Sequence, residues 1–392
     1  MTADSTLTSA EMFSGCGGLA MGLSRAGFRH RLLVERDEDA AATVAHNAAL
    51  GIEYVKDWPY TRADVRDVDW KALRGVDVLA GGPPCQPFGI GGKARGPDDE
   101  RDMWPEAVRA VREARPVAFA FENVFGMLRD RFEGYVAWVR ACLEHPDLPR
   151  APKESHEEHL ARIRRTKKRR AYRVSIQSVN AAEFGAAQNR RRILFLGVQE
   201  SEGYDPPLLR RTHSREALLF EQYVTGEYWK RHGLDPKGRT PLLKPDEGLV
   251  ARLSARPLAR PPGLPWVTVR DRLADLGEPN GVNGHVLQEG ARQYPGHTGS
   301  PWDLPAKALK AGDHGVPGGE NMLLRDDGTV RYFTIRESAR LMGLPDSYQF
   351  PRSWTESMRQ MGNAVPVELG EAVGKWLAER VDVARSPRRN AA

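Results

Sequence analysis

A single cysteine stands in a proline-rich stretch, GGPPCQPF, at residues 81–88. Pro83, Pro84 and Pro87 restrict the backbone around Cys85, which is more useful for aiming a nucleophile than for packing a buried thiol. A thiol is mostly protonated at neutral pH, so we expect a positive group or a helix start nearby to activate it. Cys85 is therefore a candidate nucleophile, and inert packing is the alternative.

A glycine-rich turn stands between a short apolar run and a helical pattern in EMFSGCGGLAMG, at residues 11–22. The glycines would let the backbone approach a ligand, and the free N–H groups of the helix start suit an anionic group. Glu35 ends the next apolar run, at the spacing where an acid accepts hydrogen bonds from ribose hydroxyls. Asp64, in TRADV at the end of a third predicted strand, could meet the edge of a nucleobase. This order indicates a nucleotide-like ligand; the alternative is a tight turn with two surface acids.

Two more groups of polar residues adjoin buried runs. Glu122 ends the run VAFAFEN, and it would lie beside Cys85 if the two runs are neighbouring parallel strands. A buried carboxyl there could donate a proton to a ring nitrogen, although a helix cap or an ion pair is the alternative. The stretch QNRRR places Gln188, Arg190 and Arg192 before another strand, where alternating arginines could contact phosphates or a ring carbonyl.

These residues need a scaffold that brings the ends of several runs together. Continuous apolar runs bounded by turn signals predict strands that are buried on both faces. Six such runs lie at residues 9–13, 31–35, 76–82, 117–123, 172–179 and 192–198. Helical patterns at 105–115 and 365–380 complete the prediction of an α/β domain with a doubly wound, mostly parallel sheet. From about residue 201 to 330 prolines and glycines are dense, which indicates a second, smaller, loop-rich domain.

Composition narrows the class of protein. The chain has 392 residues, 40% of them hydrophobic, and a net charge of +6. No apolar run approaches the ~18 residues of a membrane span, and the N-terminus has no secretory pattern, so we expect a cytoplasmic protein. Three cysteines without paired spacing argue against a disulfide framework or a structural zinc site. Residues 162–173 hold eight cations and no acid, which indicates a phosphate-binding patch or a solvated surface.

Six motifs occur in a fixed order: FSGCGGLAMG, GGPPCQPF, FENV, QNRRR, TIRESARLMGLP and QMGNAVP. In this order and at these distances they resemble the motifs of the DNA (cytosine-5)-methyltransferase family, of the prokaryotic restriction-modification type. The resemblance covers most of residues 10–200 and 331–375. It implies a Rossmann-like catalytic and cofactor-binding domain at 1–200 and a target-recognition domain at 201–330. Residues 331–392 would form a junction and a C-terminal helix that returns to the catalytic domain.

The resemblance assigns a reaction to the candidate residues. Cys85 would add to carbon 6 of a cytosine that is flipped out of the duplex, and Glu122 would protonate or hydrogen-bond the ring at nitrogen 3. Arg192 would hold the cytosine carbonyl oxygen, supported by Arg190 and Gln188. Carbon 5 would take a methyl group from S-adenosyl-L-methionine, after which a base removes its proton and the cysteine is expelled. No metal is needed for this reaction.

The resemblance also assigns binding residues. The cofactor pocket would be formed by Phe13, Ser14, Gly15, Cys16, Gly17, Gly18, Leu19, Glu35, Arg36, Asp64, Val65, Pro84, Asn363, Ala364 and Val365. DNA contacts are expected from Gln86, Phe88, Gly89, Lys93, Arg95 and Gln188, and the glycine-rich loop that follows Cys85 would close over the DNA. Gly89 replaces the serine that is usual in the family, which removes a hydroxyl from this loop. Met342 and Leu344 replace the commoner glutamine and phenylalanine, and we interpret both as packing changes.

Other functions compete with this one. The enzyme could methylate cytosine in RNA, although the long span at 201–330 favours DNA. A catalytically silent DNA-binding subunit is disfavoured because Cys85, Glu122, Arg192 and Asn363 are all present. A dehydrogenase is disfavoured because no hydride-transfer site is recognisable. The expected partners are double-stranded DNA and a cognate restriction endonuclease, and the expected enzyme is a nucleoid-associated monomer that needs no membrane. A hypothesis for the basic insertion at 144–173 is nonspecific DNA binding.

Overall fold

The structure is a computed structural model that describes residues 6–84, 102–200, 203, 205–235, 242–293, 298–311 and 321–386. Up to residue 200, strands alternate with helices: β1 (Leu7–Met12), α1 (Gly18–Arg25), β2 (Phe28–Glu35), α2 (Glu38–Ala49), β3 (Tyr60–Arg62), β4 (Val78–Gly81), α3 (Trp104–Ala114), β5 (Ala118–Val124), α4 (Glu133–Glu144), α5 (His156–Arg164), β6 (Tyr172–Asn180), β7 (Gln188–Asn189) and β8 (Arg191–Gln199).

The elements after residue 200 are mostly short up to residue 330, as the density of proline and glycine predicts, and the last of them is a helix of 19 residues. They are β9 (His213–Ser214), α6 (Arg215–Phe220), α7 (Glu227–Arg231), α8 (Lys244–Ser254), β10 (Leu264–Pro265), α9 (Val269–Leu273), β11 (Ser300–Pro301), β12 (Ala306–Lys307), β13 (Met322–Leu324), β14 (Val330–Tyr332), α10 (Ile335–Leu341), α11 (Trp354–Asn363) and α12 (Val367–Arg385).

The chain divides into two compact units. The first contains Met1–Val179, Arg191–Leu209 and Gly370–Ala392, and the second contains Asn180–Arg190 and Arg210–Leu369. This division differs from the predicted boundaries in three places, because residues 180–190 and 331–369 group with the second unit and residues 201–209 group with the first. The physical reason for the first two differences is that residues 180–190 and 331–369 pack with each other and with the loop-rich part of the chain, a grouping that local sequence patterns do not reveal.

A seven-stranded sheet forms the centre of the first unit, with strand order β3-β2-β1-β4-β5-β8-β6. The pairs from β3 through β5 are parallel, and β8 runs antiparallel to β5. The prediction of a mostly parallel α/β sheet is therefore confirmed. Strand order reverses between β1 and β4, where Met12 pairs with Gly81. Ligands of open α/β sheets bind at such a switch point, beyond the carboxyl ends of the strands.

Aromatic residues fill the core on one face of this sheet. Trp104, the first residue of α3, is fully buried, and its ring centroid lies 4.6 Å from that of Phe195 and 6.1 Å from that of Phe121. Both phenylalanines belong to neighbouring strands, β5 and β8. Helix α3 is thus fixed on the sheet close to its own start, directly after the segment that carries Cys85.

The second unit is held together by small sheets and polar networks. Strand β13 joins β11 to β14, and β12 pairs with β7. The Tyr228 hydroxyl donates to the Asp303 carboxylate at 2.9 Å, and Arg270 approaches the same carboxylate at 2.6 Å. Such side-chain networks replace part of the regular backbone pairing that the first unit has. Among the described residues, no helix is both long enough and apolar enough to cross a membrane.

Candidate active site

The glycine-rich turn lies directly after β1, at the switch point of the sheet. Phe13, Gly15 and Gly17 all have positive φ angles, of 58°, 53° and 84°. A left-handed conformation costs about 1 kcal/mol for a residue with a side chain, so Phe13 marks a strained turn of the kind found at functional sites. Gly17 caps α1, and a Cβ atom on it would lie 2.5 Å from the Trp58 ring. Only glycine fits there.

Glu35 holds this turn from the end of β2. Its carboxylate accepts the backbone N–H of Gly15 at 2.9 Å and those of Arg36 and Asp37 at 2.8 Å each. The Tyr60 hydroxyl donates to the carbonyl oxygen of Gly15 at 2.9 Å. A carboxylate offers about four acceptor positions, so Glu35 keeps capacity for a ligand hydroxyl. The predicted Glu35 and Gly15 are therefore brought together.

A second acid of this region, Glu11, was not among the predicted site residues. It lies inside β1 and is 1% exposed, and its Oε2 atom has no hydrogen-bond partner among the described residues. Burial, and then the nearby charge of Glu35, raise the pKa of Glu11 well above its usual value. The signal in the sequence is a charged residue inside an apolar strand, since a buried carboxyl requires a partner.

The acid that follows β3 is fixed by arginines. Asp64 accepts hydrogen bonds from Arg66 at 2.7 Å and from Arg36 at 3.3 Å. The hydrogen bond from Arg66 is the main reason that the pKa of Asp64 lies below its usual range. Asp64 also caps the single helical turn Val65–Asp67, whose first residue is buried. Asp64 therefore stays ionised and keeps this turn in one conformation.

Glu122 and Arg192 form an ion pair at the carboxyl end of β5. Glu122 Oε1 lies 2.5 Å from Arg192 Nε, and the two side chains are 12% and 14% exposed. The antiparallel pairing of β5 with β8 places them together, since Val124 pairs with Arg192. A Cβ atom on Gly82 would lie 3.4 Å from Glu122 Oε2, so the other oxygen of this carboxylate faces Gly82. Gly82 precedes Cys85 by three positions in the chain.

Asn123 supports the same corner. This residue is 1% exposed, and its side-chain amide donates to the Pro83 carbonyl oxygen at 3.0 Å, while its own oxygen accepts the N–H of Val124 at 2.8 Å. The two proline residues before Cys85 are thus attached to the end of β5. The described chain stops at Pro84, so the structure does not describe the predicted positions Cys85, Gln86, Phe88, Gly89, Lys93 and Arg95.

Two residues of QNRRR have structural roles in the second unit. Gln188 is fully buried and donates to the Leu341 carbonyl oxygen at 2.9 Å, so the expected contact with DNA has no exposed surface to use. Arg190 is 1% exposed and donates to the carbonyl oxygens of Leu309 at 2.9 Å and Gly362 at 2.6 Å. These bonds argue against the expected catalytic role of Arg190, because both of its terminal amino groups donate to the backbone.

The other predicted residues have simpler places. Ser14 and Cys16 are buried in the turn, and burial raises the pKa of the Cys16 thiol to about 12, which excludes it as a thiolate at neutral pH. Gly18 and Leu19 begin α1. Within the second unit, Asn363 is the last residue of α11, and Ala364 and the buried Val365 follow it. Met342 and Leu344 are both buried, as expected of packing residues.

The basic segment lies at the opposite edge of the sheet. Arg170 and Arg173 bind Glu200 at 2.6 Å and 2.9 Å, and Arg162 binds Glu154 at 2.7 Å. Glu200 follows β8, whereas Arg192 lies near its start. Arg169 also lies 3.6 Å from Glu200, so four of the eight cations are paired, and the length of a strand separates them from Glu122. The hypothesis of nonspecific DNA binding is left with the exposed cations at 164, 165, 167 and 168.

Comparison with known proteins identifies the family of this chain. The chain matches the family model of the C-5 cytosine-specific DNA methylases over residues 7–145, 149–231 and 271–379. It belongs to this family and is a DNA cytosine-5 methyltransferase.

Its relatives include Type II methyltransferases of bacteria. Type II methyltransferase M.NgoMIV of Neisseria gonorrhoeae is 30% identical over 374 residues, which cover 94% of this chain and 96% of the relative. M.PspPI of Psychrobacter sp. is 28% identical over 385 residues, which cover 95% of this chain and 79% of the relative. Among solved structures, S. pombe Dnmt2 matches with a TM-score of 0.53 and 15% identity over 97% of this chain and 99% of that one. A DNMT2 mutant of Spodoptera frugiperda matches with a TM-score of 0.56 and 14% identity, over 95% of this chain and 99% of that one. Both support the fold alone.

Proposed function

We propose that the enzyme methylates carbon 5 of a flipped-out cytosine in a specific double-stranded DNA sequence, through a covalent bond to Cys85. The observation that carries this proposal is the Glu122–Arg192 ion pair, which faces Gly82 at the carboxyl edge of the sheet. The Glu122 carboxyl and the Arg192 guanidinium can bind one edge of a cytosine there, while the thiol of Cys85, three residues after Gly82, attacks the ring.

Each residue then has one role. The Cys85 thiolate forms a bond to carbon 6, and the electrons of the 5,6 double bond move towards carbon 5. Glu122 hydrogen-bonds or protonates nitrogen 3, which stabilises the charge that the addition places on the ring. Arg192 holds the carbonyl oxygen and keeps Glu122 oriented. After methylation, a base removes the proton from carbon 5, and the electron pair restores the double bond as the thiolate leaves.

The first unit has features that fit S-adenosyl-L-methionine. This cofactor, when bound, supplies the methyl group from a sulfonium centre. Glu35 keeps an acceptor position for ribose hydroxyls, and a Cβ atom on Gly15 would meet no atom within 4 Å, so the turn is open on that side. The unpartnered oxygen of Glu11 could accept from the ammonium group of the cofactor. Asp64 and Val65 would bind the nucleobase of the cofactor.

The wider context is also a proposal. The names of the Type II relatives support a role in protecting host DNA against a cognate restriction endonuclease. Residues 201–330, with residues that group around them in the second unit, would recognise the target sequence. We expect a monomer that works on the nucleoid, with DNA contacts from the loop after Cys85. Flipping the base costs a few kcal/mol, which these contacts must supply.

Expression in a host without cytosine methylation, followed by genome-wide mapping of 5-methylcytosine, tests the proposal. The wild-type enzyme should methylate one short sequence motif, and Cys85→Ala should leave the genome unmodified. Cys142→Ala is the matched control, because burial raises the pKa of this thiol to about 12 and the proposed reaction does not use it. An unmodified genome with folded, cofactor-binding wild-type protein would contradict DNA as the substrate.

A further inference from the structure

Arg109 stands out among the arginines of the first unit because each of its five N–H groups has an acceptor. The residue lies in the middle of α3, and its side chain is 21% exposed. On its own helix it donates to Glu106 at 2.7 Å and to Glu113 at 3.2 Å. The other three donors reach backbone carbonyl oxygens of a different segment, at Val65 (2.8 Å), Arg66 (3.2 Å) and Val68 (3.2 Å).

The segment that Arg109 binds is short and has few hydrogen bonds of its own. Val65–Asp67 is a single helical turn of three residues, capped at its start by Asp64. A turn this short has few internal hydrogen bonds, and its last carbonyl oxygens lack helical partners. The Arg109 guanidinium donates to the carbonyl oxygens of Arg66 and Val68, and its charge suits the negative end of the turn. It also adds a second donor to the Val65 oxygen, which accepts the Val68 N–H at 3.4 Å. Asp64 therefore fixes the beginning of the turn, and Arg109 fixes its end.

We propose that Arg109 is a positioning residue for the cofactor, because it holds in place the turn whose first residues, Asp64 and Val65, would bind the base. The inference rests on the proposed function of that pocket. Helix α3 begins at Trp104, directly after the segment that carries Cys85. The same guanidinium therefore connects the base-binding turn to the helix that follows the nucleophile.

The chain contains a matched control on the same helix. Arg112 has the same charge, but its only described ion pair is a long one of 3.8 Å to Glu113. Arg109→Ala should weaken the binding of S-adenosyl-L-methionine by about tenfold or more, because several charge-assisted hydrogen bonds to the turn are lost. Arg112→Ala should leave the affinity unchanged. At saturating cofactor the turnover of Arg109→Ala should stay close to the wild-type value, since Arg109 does not touch the reacting atoms.

Isothermal titration calorimetry with S-adenosyl-L-methionine tests the proposal on the purified full-length variants. Steady-state assays of the same variants give the KM for the cofactor and kcat. If Arg109→Ala does not fold, Arg109→Lys decides, since an ammonium can satisfy only about three of the five acceptors. A raised KM with unchanged kcat supports the proposal. Equal cofactor affinity in wild type and folded Arg109 variants overturns this inference alone, whereas a wild-type protein that binds no cofactor overturns the proposed function and the inference with it.

Discussion

The parallel strands of the seven-stranded sheet have their carboxyl ends on one side, the carboxyl edge, and their amino ends on the other, the amino edge. The two edges carry the same residue types for different purposes. At the carboxyl edge, Glu122 meets a single arginine and turns its second oxygen towards Gly82. At the amino edge, Glu200 meets Arg170, Arg173 and, at 3.6 Å, Arg169. The groups at the amino edge satisfy one another, whereas those at the carboxyl edge keep acceptors for a ligand. This difference supports the proposal that the active site lies at the carboxyl edge, where hydrogen-bonding capacity is left for a ligand.

The largest expected effect comes from removing the acid at each edge. Glu122→Gln should lower kcat by roughly 10²–10⁴-fold, because the ring would lose its proton donor or charge-assisted hydrogen bond. Glu200→Gln should leave kcat almost unchanged and lower stability, since three arginines lose their shared partner. Steady-state methylation assays and urea unfolding of both variants measure this. A loss of kcat in Glu200→Gln as large as that in Glu122→Gln would contradict the distinction between the two edges.

The second test separates Arg190 and Arg192, which lie two positions apart in the motif QNRRR. Arg192→Ala should reduce kcat by roughly 10²–10³-fold, as expected when a donor to a reacting group is removed. Arg190→Ala should instead destabilise the protein by about 2–4 kcal/mol, because the buried carbonyl oxygens of Leu309 and Gly362 lose their donor. Chemical denaturation and kcat distinguish the two. A stable, inactive Arg190→Ala variant would restore the catalytic role first expected for Arg190.

The glycine turn provides a third test. Gly17→Ala should lower cofactor affinity by about tenfold and stability by roughly 1–3 kcal/mol, because its Cβ atom would meet the Trp58 ring at 2.5 Å. Gly27→Ala is the control: its φ of 92° is also positive, but no atom lies within 4 Å of the new Cβ. It should share the backbone strain and keep the cofactor affinity. Equal loss of affinity in both variants would mean that strain, not the shape of the turn, matters.

The smallest effect concerns pH. His30 lies in β2 between Ser9 and Ser24, at 2.9 Å and 3.1 Å, and burial lowers its pKa to about 4. A depressed pKa means that the neutral form contributes stability above pH ~6.5, which is lost as the pH falls towards 4, up to about 3 kcal/mol. Urea unfolding between pH 7 and 4 should show a shallower pH dependence for His30→Gln. An unchanged slope would show that His30 does not titrate in this range.

Much of the scaffold could be predicted from the sequence because its signals are local. Buried strands appear as apolar runs, and β5, predicted at 117–123, is observed at Ala118–Val124. Tertiary partners are invisible in such patterns. Arg190 and Arg192 look equivalent in QNRRR, yet the acceptors of Arg190 lie 119 and 172 residues away along the chain. Asn123 was missed for the same reason, since its partner is the Pro83 carbonyl oxygen, 40 residues earlier.

Methyl transfer from radiolabelled S-adenosyl-L-methionine to double-stranded DNA, followed by nucleoside analysis, tests whether the carboxyl edge is the active site. We expect label only in 5-methyl-2′-deoxycytidine, its loss in Cys85→Ala and Glu122→Gln, and its persistence in Glu200→Gln. Label in another nucleoside, or full activity without Glu122, would contradict the assignment of the carboxyl edge as the active site.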